Sequence, residues 1–309
     1  MKLSKIIIVP SKSRLDIEIE KNGCYENTIN RFRSERIRKD IIEGHYAQKE
    51  NLSRIVNAFG NEHIIDRSLL TKDIIMDNEI FIFLGGDNHF SYCSQEIARY
   101  MQEYPQYKKF VLGAALDPRK SFGAMLYFSV DKILDCIRQI DQRDFLVKNW
   151  TLLESIIENE NGVIKPYPAI SEYLIGEEKR LHMSRNIVCL NGKEIFPEKS
   201  SGIIVAVGAG SGIGSWYHNA YPLFREEDIF TNEERYAKIL LTEHYSKSIA
   251  RLNEDDVLTI DSNNDSSGIV GPDGHEDHAA PFGFGARAEI RISKIHLPVI
   301  KDIGGGKNG

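Results

Sequence analysis

The sequence predicts an α/β domain followed by a β-rich domain, and three observations support this division. Apolar runs at residues 5–9, 80–84 and 110–116 alternate with stretches of helical apolar spacing, which is typical of a doubly wound parallel sheet. Beyond residue 123 the apolar segments read mostly as short strands, and few helical patterns remain. With 309 residues, 41% of them hydrophobic, the chain can build a core for each domain.

The first domain is assigned to residues 1–123. Its opening strand at residues 5–9 leads into a polar, basic loop that contains Lys12 and Arg14. Loops at the carboxyl ends of strands form the ligand sites of open α/β sheets, although a merely solvated loop is the alternative. A helical stripe follows from Leu52 to Phe59 and ends at Gly60.

The strongest functional signal in this domain is the stretch from Gly85 to Asp87. It lies between the strand at residues 80–84 and a helical pattern that runs from Phe90 to Tyr104. Glycines allow a ligand to approach the backbone closely, and a helix N-terminus attracts phosphate. A carboxylate at such a turn can accept a proton from a hydroxyl group or hold a metal. A turn with an aspartate cap is the structural alternative.

The second domain is assigned to residues 124–300, and a flexible tail to residues 301–309. The pattern leaves open whether the end of the chain returns to the first domain. Seven apolar segments predict the strands of a β-rich, sandwich-like domain, at residues 169–175, 187–190, 203–207, 257–260, 268–270, 288–292 and 295–300. The main helix of this domain is predicted at residues 233–245.

Composition excludes several classes of function. The net charge of -6 argues against a surface that binds nucleic acid or membrane. The four cysteines lack Cys-x-x-Cys spacing, so we expect reduced thiols rather than a zinc site. No apolar run approaches the about 20 residues of a membrane span. The first residues lead directly into a strand without a signal peptide pattern, and we expect a cytoplasmic protein.

A second glycine-rich loop, at residues 208–214, imitates the nucleotide loop of short-chain dehydrogenases. It lies late in the chain, whereas that loop normally opens the first βα unit. It also fails the Gly-x-Gly-x-x-Gly pattern because Ile213 occupies the last position. The one Tyr-x-x-x-Lys pair, Tyr104 and Lys108, precedes the loop instead of following it. A dehydrogenase is therefore the least favoured alternative.

Six segments in chain order resemble the signature segments of NAD kinases, most closely those of the mitochondrial type. In the first domain, residues 11–14 resemble a Thr-Lys-Thr-Thr-Arg loop, and residues 110–123 are similar to a strand followed by Asp-Pro-x-x-Ser-x-Gly. The stretch that begins at Gly85 resembles the family's Gly-Gly-Asp-Gly-Thr turn. Asn88 stands in place of its third glycine and His89 in place of its threonine.

The other three segments lie in the second domain. Residues 170–177 resemble Asn-Glu-Val-x-Ile-Gly, with Glu172 matched and Ser171 in place of the asparagine. Residues 200–211 resemble a strand followed by Gly-Thr-Gly-Ser, with Ala209 in place of the threonine. Residues 268–275 resemble the late Val-Asp-Gly segment, which contains Asp273. The departures fall on ligand-facing positions of the family, and so they bear on the substrate rather than on the fold.

The resemblance implies phosphorylation of the 2′-hydroxyl on the adenosine ribose of NAD, with ATP and Mg²⁺ as cofactors. Asp87 would be the catalytic base, and no protein residue is assigned as a metal ligand. The Gly85–Gly86 turn would hold the donor phosphates, with positive charge from Lys12 and Arg14. The remaining nucleotide-binding residues would be Asn88, His89, Ser171, Glu172, Gly208, Ala209, Gly210, Ser211 and Asp273. The family implies small nucleotides as ligands and a homodimer or higher oligomer.

Three alternatives stay open. One is a kinase of the same fold that acts on another nucleotide or nucleoside, and another is an inactive nucleotide sensor. The third is the dehydrogenase. The donor, ATP or polyphosphate, also stays open. We expect residues 275–278, which lie between two prolines and off any predicted helix, to form a solvated loop rather than a metal site. We expect Trp216 to be a packing residue.

Overall fold

The computed structural model describes residues 5–117, 119, 124–179, 182–212, 215–220, 229–243, 249–264 and 267–303. The chain divides into two compact units, which are described separately. The first comprises residues 1–93, 109–147 and 300–309, and the second comprises residues 94–108 and 148–299. The domain boundary predicted after residue 123 thus lies within the first unit. The last strand extends to Ile303, inside the predicted tail.

The first unit is built on a parallel sheet in which strand order follows chain order. Its strands are β1 (Ile6–Pro10), β2 (Ile80–Gly85), β3 (Phe110–Ala115) and the short β4 (Phe128–Ser129). Ile6 pairs with Ile80, which pairs in turn with Phe110. The helices that connect them are α1 (Arg14–Asn22), α2 (Tyr25–Arg31), α3 (Glu35–Phe59), α4 (Lys72–Asp77), α5 (Asp87–Glu103), α6 (Val130–Asp135) and α7 (Ile137–Asp141).

The central strands of this unit are buried along their whole length. Residues 80–84 of β2 have no exposed surface, and Ile6 and Ile8 of β1 are equally buried. Such unbroken apolar runs arise because helices cover both faces of a parallel sheet. Ile55 and Phe59 of α3 pack into this core, and α3 ends at Gly60 with φ +95°, as its sequence pattern predicts.

The second unit contains two antiparallel sheets. Its strands are β5 (Phe145–Asn159), β6 (Gly162–Ile164), β7 (Glu172–Glu177), β8 (Ser184–Leu190), β9 (Lys193–Glu194), β10 (Lys199–Ser200), β11 (Ile203–Ala206), β12 (Tyr236–Leu241), β13 (Ile249–Asn253), β14 (Leu258–Ser262), β15 (Gly268–Pro272), β16 (Ala280–Pro281) and β17 (Arg287–Ile303). One sheet has the order β13-β12-β11-β7-β15-β16. The other contains β17, β14, β8 and β10 in that order. One short helix, α8 (Trp216–Ala220), follows β11.

The two sheets of the second unit share one apolar core. Ala237, Ile239 and Leu241 alternate along β12 and face this core, and Leu258 and Ile260 do the same from β14. A side-chain period of two with one buried face is the pattern of a β-sandwich. The predicted sandwich-like second domain is confirmed.

Two local predictions are wrong. The helix predicted at residues 233–245 is wrong for its described part, residues 233–243, because β12 lies there and its alternate residues are buried in the sandwich core; residues 244 and 245 lie outside the described residues. The strands predicted at residues 288–292 and 295–300 are confirmed, and both belong to the single strand β17. The helix predicted from Phe90 begins at Asp87 instead, so Asp87 belongs to the first turn of the helix rather than to a separate turn. Among the described residues, no helix is long and apolar enough to cross a bilayer.

Candidate functional site

In the first unit, the Gly-Gly-Asp stretch joins the end of β2 to the start of α5. Strand β2 ends at Gly85, and the carbonyl of Gly86 accepts hydrogen bonds from the N–H groups of His89 and Phe90, both at 3.0 Å. These bonds close the first turn of α5. No residue from Gly85 to His89 has a positive φ, so the turn does not depend on left-handed backbone.

The two glycines of this turn have different surroundings. A Cβ atom on Gly85 would lie 2.8 Å from Ser11 Oγ and 3.0 Å from the Cβ of His89, so packing requires a glycine. A Cβ atom on Gly86 would meet no atom within 4 Å. The first N–H groups of a helix have no intrahelical partner, so the space beside Gly86 is suited to an anionic group.

Asp87 is half-buried at the first position of α5. One carboxylate oxygen, Oδ1, accepts a hydrogen bond from the N–H group of Met125 at 3.2 Å. Burial raises the pKa of Asp87 above its ordinary value, and hydrogen bonds from the backbone of Met125 and Ala124 oppose that shift. A carboxylate with a raised pKa is a stronger base than an exposed aspartate, so it is suited to accept a proton from a hydroxyl group.

Asn88 and His89 differ in exposure. The side chain of Asn88 is exposed, whereas His89 is buried and its Nε2 donates a hydrogen bond to the carbonyl of Val9 at 2.8 Å. Burial lowers the pKa of His89 to about 4, so the ring is neutral at physiological pH. His89 therefore joins α5 to β1, whereas the exposed side chain of Asn88 could contact a ligand at this turn.

Two predicted cations, Lys12 and Arg14, lie just after β1, and a third cation, Arg67, lies beside α5. Lys12 forms an ion pair with Glu20 at 2.7 Å, and Arg14 forms one with Glu18 at 2.6 Å. The hydrogen bond that Lys12 donates to Glu20 raises the pKa of Lys12. Such exposed pairs contribute little to stability and can exchange for another anion.

The third cation, Arg67, has no local sequence signal because it lies in a short 3-10 turn. Its guanidinium lies 4.4 Å from the ring centre of Tyr92, a residue of α5. Its charge acts on both Lys12 and His89, which places it beside the same turn.

In the second unit, Asp273 is the centre of a hydrogen-bonded cluster. Its Oδ1 accepts from the N–H (2.7 Å) and hydroxyl (2.7 Å) of Ser171 and from the N–H of Glu172 (3.0 Å). Its Oδ2 accepts from the N–H of Ile170 (2.9 Å) and from Nε2 of Gln95 (2.6 Å). We call these five residues the Asp273 cluster. Because the carboxylate holds three consecutive N–H groups, it fixes the backbone that leads into β7.

Glu172 caps α8 from the first residue of β7. Its Oε1 accepts from the N–H of Trp216 at 2.7 Å, and its Oε2 accepts from the N–H of Tyr217 at 2.9 Å. Burial raises the pKa of Glu172 to about 8, although these two hydrogen bonds favour the charged form. The side chain of Trp216 is half-exposed, so the expectation of a packing residue is wrong.

The turn Gly208–Ser211 is a buried 3-10 turn that packs against the Asp273 cluster. A Cβ atom on Gly210 would lie 2.5 Å from the carbonyl oxygen of Ser171, and one on Gly208 would collide with the carbonyl of Thr231. The hydroxyl of Ser211 lies 2.7 Å from the carbonyl of Gly208 and accepts from the N–H of Phe230 at 3.1 Å. Ala209 is buried as well.

Comparison with known proteins gives distant sequence relatives. No protein-family model matches the chain. An NAD kinase from Magnetococcus marinus is 24% identical over 140 residues, which is 45% of this chain and 43% of that protein. An NAD kinase from Serratia proteamaculans is 24% identical over 133 residues, which is 43% of this chain and 42% of that protein. The matches thus span less than half the length of these relatives.

Solved structures resemble the chain over most of its length. A yeast NADH kinase complexed with NADH has a TM-score of 0.65 at 13% identity, covering 97% of this chain and 84% of that one. The chain has the NAD kinase fold. An NAD kinase from Archaeoglobus fulgidus in complex with ATP has a TM-score of 0.59 at 14% identity, covering 81% of this chain and 89% of that one. The resemblance to NAD kinases and the predicted fold class are confirmed.

Within this NAD kinase fold, the predicted site residues form one group in each unit. Lys12, Arg14 and residues 85–89 belong to the first unit, and Ser171, Glu172, residues 208–211 and Asp273 belong to the second. In the second group most predicted side chains bond to protein atoms. The hydroxyl of Ser171 bonds to Asp273, and Glu172 bonds to α8.

Sequence reasoning missed three residues of these groups, namely Arg67, Gln95 and His278. The expectation of a solvated loop at residues 275–278 is wrong for His278. A short 3-10 turn directs its ring inward, where it stacks on Tyr167 with ring centres 3.8 Å apart. Among the described residues, no group of three His, Cys, Asp or Glu side chains could hold a metal ion.

Proposed function

We propose that the protein is a phosphotransferase of the NAD kinase type. It transfers a phosphoryl group from ATP, with Mg²⁺, to the 2′-hydroxyl on the adenosine ribose of NAD. The observation that carries this proposal is Asp87, a half-buried aspartate with a raised pKa in the first turn of a helix behind two glycines. The likeness to proteins named NAD kinase and NADH kinase supports the choice of acceptor.

Asp87 would act as the general base. As the bond from the ribose oxygen to the γ-phosphorus forms, the carboxylate takes the hydroxyl proton and the bond from the γ-phosphorus to the β-phosphate oxygen breaks. ADP leaves with the electron pair of that bond. The N–H groups of Met125 and Ala124 support the charged form of Asp87 in its half-buried place. Phosphoryl transfer depends mostly on positioning and electrostatics, so one positioned base is sufficient protein chemistry.

The donor phosphates would lie in the open space beside Gly86. There the dipole at the N-terminus of α5 favours negative charge. Lys12, Arg14 and Arg67 supply mobile positive charge around the same turn. Because the chain as a whole has a net charge of -6, such local cations would be needed to attract phosphate.

Magnesium fits the residues present without a protein cage. Mg²⁺ is commonly held by one or two carboxylates together with substrate phosphates and water. The donor phosphates and water would supply the ligands, and the carboxylate of Asp87 would serve as the base. When bound, the ion would neutralise charge on the transferred phosphate.

We propose that the backbone at residues 170–172 and the turn at residues 208–211 form the nucleotide-binding surface of the second unit. The side chains of Ser171, Glu172 and Asp273 hold this backbone in place. Gly208 and Gly210 permit its close packing. In this proposal Ser171 and Glu172 determine the shape of the surface rather than bonding to the ligand.

A second candidate is a kinase of the same fold with a different nucleotide acceptor. Two side chains favour it, because the hydroxyl of Ser171 is turned toward Asp273 and Ala209 has no hydroxyl. A site that lacks two hydrogen bonds of about 0.5–1.5 kcal/mol each would bind NAD roughly 10–100-fold more weakly. An enzyme of this kind would show faster turnover with another nucleotide than with NAD.

The experiment that tests the proposal is a product assay by mass spectrometry. The protein is incubated with Mg²⁺ and either ATP or polyphosphate, together with NAD, NADH or a panel of nucleosides and nucleotides. We expect NADP from NAD, and loss of that product in Asp87→Asn. A phosphorylated product other than NADP would favour the second candidate. Tight binding without product, or reduction of NAD, would contradict the proposal in favour of a sensor or a dehydrogenase.

The oligomeric state and location implied by the resemblance are also proposals. We expect a homodimer or a higher homo-oligomer in the cytoplasm. Sedimentation velocity tests the first, and a purely monomeric protein with full activity would contradict it. Fractionation of the source cells tests the second.

A further inference from the structure

The hydrogen bonds around Gln95 determine which atoms donate. Asp273 can only accept when ionised, so the atom of Gln95 that lies 2.6 Å from Asp273 Oδ2 is its amide nitrogen. The amide oxygen of Gln95 therefore faces Nδ1 of His278, with which it is hydrogen-bonded. An amide oxygen is an acceptor, so Nδ1 of His278 must carry a proton.

Burial and contacts with neighbouring side chains fix the ring of His278. It is buried, and it stacks on Tyr167 with an angle of 11° between the rings. Its Nε2 lies 3.5 Å from Glu96 Oε1, and the same oxygen accepts from the hydroxyl of Tyr167 at 3.0 Å. The guanidinium of Arg99 lies 4.4 Å from the ring centre of Tyr167. The orientation of the Nδ1 donor is thus determined by packing.

The Asp273 cluster transmits this orientation to the backbone. Oδ2 of Asp273 has Gln95 and the N–H of Ile170 as its partners, and Oδ1 holds Ser171 and Glu172. The carbonyl of Ser171 accepts from the N–H of Val207 at 2.9 Å, directly before the turn at residues 208–211. A chain of hydrogen bonds therefore runs from His278 through Gln95 and Asp273 to that turn.

We propose that Gln95 and His278 are positioning residues for nucleotide binding. His278 holds the amide of Gln95, which holds Asp273, and Asp273 holds the backbone at residues 170–172. This inference rests on the proposed function for the claim that this backbone receives a nucleotide. Neither side chain needs to contact the ligand or the reacting atoms.

Three variants separate the hydrogen bond from packing. His278→Phe retains a ring that can stack on Tyr167 but removes the donor. His278→Asn removes the ring but places an amide donor near the position of Nδ1. Gln95→Met has a similar length and no amide. His182→Phe is the matched control, because His182 is an exposed histidine of the same unit.

Two readouts are measured on each purified full-length variant. The first is hydrogen exchange of the amides at residues 170–172, which reports positioning without any assumption about activity. We expect His278→Phe and Gln95→Met to increase that exchange about tenfold, corresponding to one lost hydrogen bond. The second is steady-state kinetics. We expect KM for the nucleotide acceptor to rise about tenfold, with kcat changed less than about twofold.

In His278→Asn we expect the amide exchange at residues 170–172 and the KM to return most of the way to wild-type values. In His182→Phe we expect neither to change. Unchanged exchange at residues 170–172 in His278→Phe and Gln95→Met would overturn the inference. So would faster exchange throughout the protein, which indicates general destabilisation, or faster local exchange with an unchanged KM. A wild-type protein that phosphorylates no nucleotide would refute the proposed function alone, and the exchange of residues 170–172 would still decide the positioning claim.

Discussion

At the scale of single residues, the proposed kinase activity depends most on Asp87. Asparagine at this position retains the shape of the side chain and removes its basicity. We expect Asp87→Asn to lower kcat by about 10²–10⁴ while leaving nucleotide binding nearly unchanged, since Gly85 and Gly86 are untouched. Steady-state kinetics and calorimetric titration with ATP check this, and wild-type turnover in the variant would exclude Asp87 as the base.

Asp87 should also cause kcat/KM to fall at acidic pH, which gives the pH profile an acidic limb. A general base must be deprotonated, so kcat/KM falls as the pH drops through the pKa of Asp87. Because burial raises that pKa, the fall begins at a higher pH than for an exposed aspartate. The residual activity of Asp87→Asn should lack this limb. An identical limb in wild type and variant would assign it to another group.

The two glycines provide a matched pair of substitutions. Gly86→Ala adds a methyl group to open space, so we expect the free energy of unfolding to fall by at most ~1 kcal/mol. ATP binding should weaken about tenfold or more, because the methyl group occupies the space proposed for phosphate.

Gly85→Ala should have the opposite effects, lowering the free energy of unfolding more and weakening ATP binding less. Its methyl group meets Ser11 and His89, so unfolding should become easier by about 1–3 kcal/mol. Urea unfolding and ATP titration of both variants check this pair. Unchanged ATP affinity in Gly86→Ala would show that no phosphate lies beside Gly86.

At the scale of elements, the cap that Glu172 provides for α8 predicts how stability depends on pH. An unfolded glutamate loses its proton near its ordinary pKa of 4.5, whereas folded Glu172 keeps it until about pH 8. Between these values the folded state binds more protons, so stability falls as pH rises, by up to ~1.4 kcal/mol per pH unit.

Glu172→Gln should remove this slope, because glutamine has no proton to lose. Urea unfolding of wild type and variant from about pH 5 to about pH 8 checks the difference in slope. Contributions of other groups, such as the opposite one from His89, cancel in that difference. Parallel stability curves would mean that Glu172 is ionised throughout this range.

Local sequence patterns predict some helices and strands correctly and fail for others. The strands β1, β2 and β3 and the end of α3 follow from local apolar spacing and from Gly60. The spacing at residues 233–245 suits a helix as well, and only burial of alternate residues in the sandwich core selects a strand there. The long strand β5 was not predicted. Tertiary packing overrides local preference in such segments.

Only part of the candidate site was predictable, because a sequence pattern shows local motifs but not contacts between distant positions. Local motifs identify Asp87 and the glycine turns, because each is a short run of residues. The partners of Asp273 are not local, since Gln95 is 178 positions away and Ser171 is 102 positions away. No spacing rule joins such residues, and so Gln95 and His278 emerged only from the structure.

At the scale of the whole molecule, the fold alone does not determine the phosphate acceptor. The chain matches a solved NADH kinase over 97% of its length at 13% identity. Function depends on sites carried by a fold, so the side chains at the two groups of residues decide the substrate. In the second unit the chain departs from the family pattern at Ser171 and Ala209, and the structure buries both positions.

The central claim is that the phosphoryl group goes to the 2′-hydroxyl on the adenosine ribose of NAD. The most direct measurement is a proton–phosphorus correlation spectrum of the product formed from ATP, Mg²⁺ and NAD. We expect a new phosphate whose phosphorus couples to the 2′ proton of the adenosine ribose, and no such product with Asp87→Asn. A phosphorus signal coupled to any other position, or the absence of a phosphorylated dinucleotide, would contradict it.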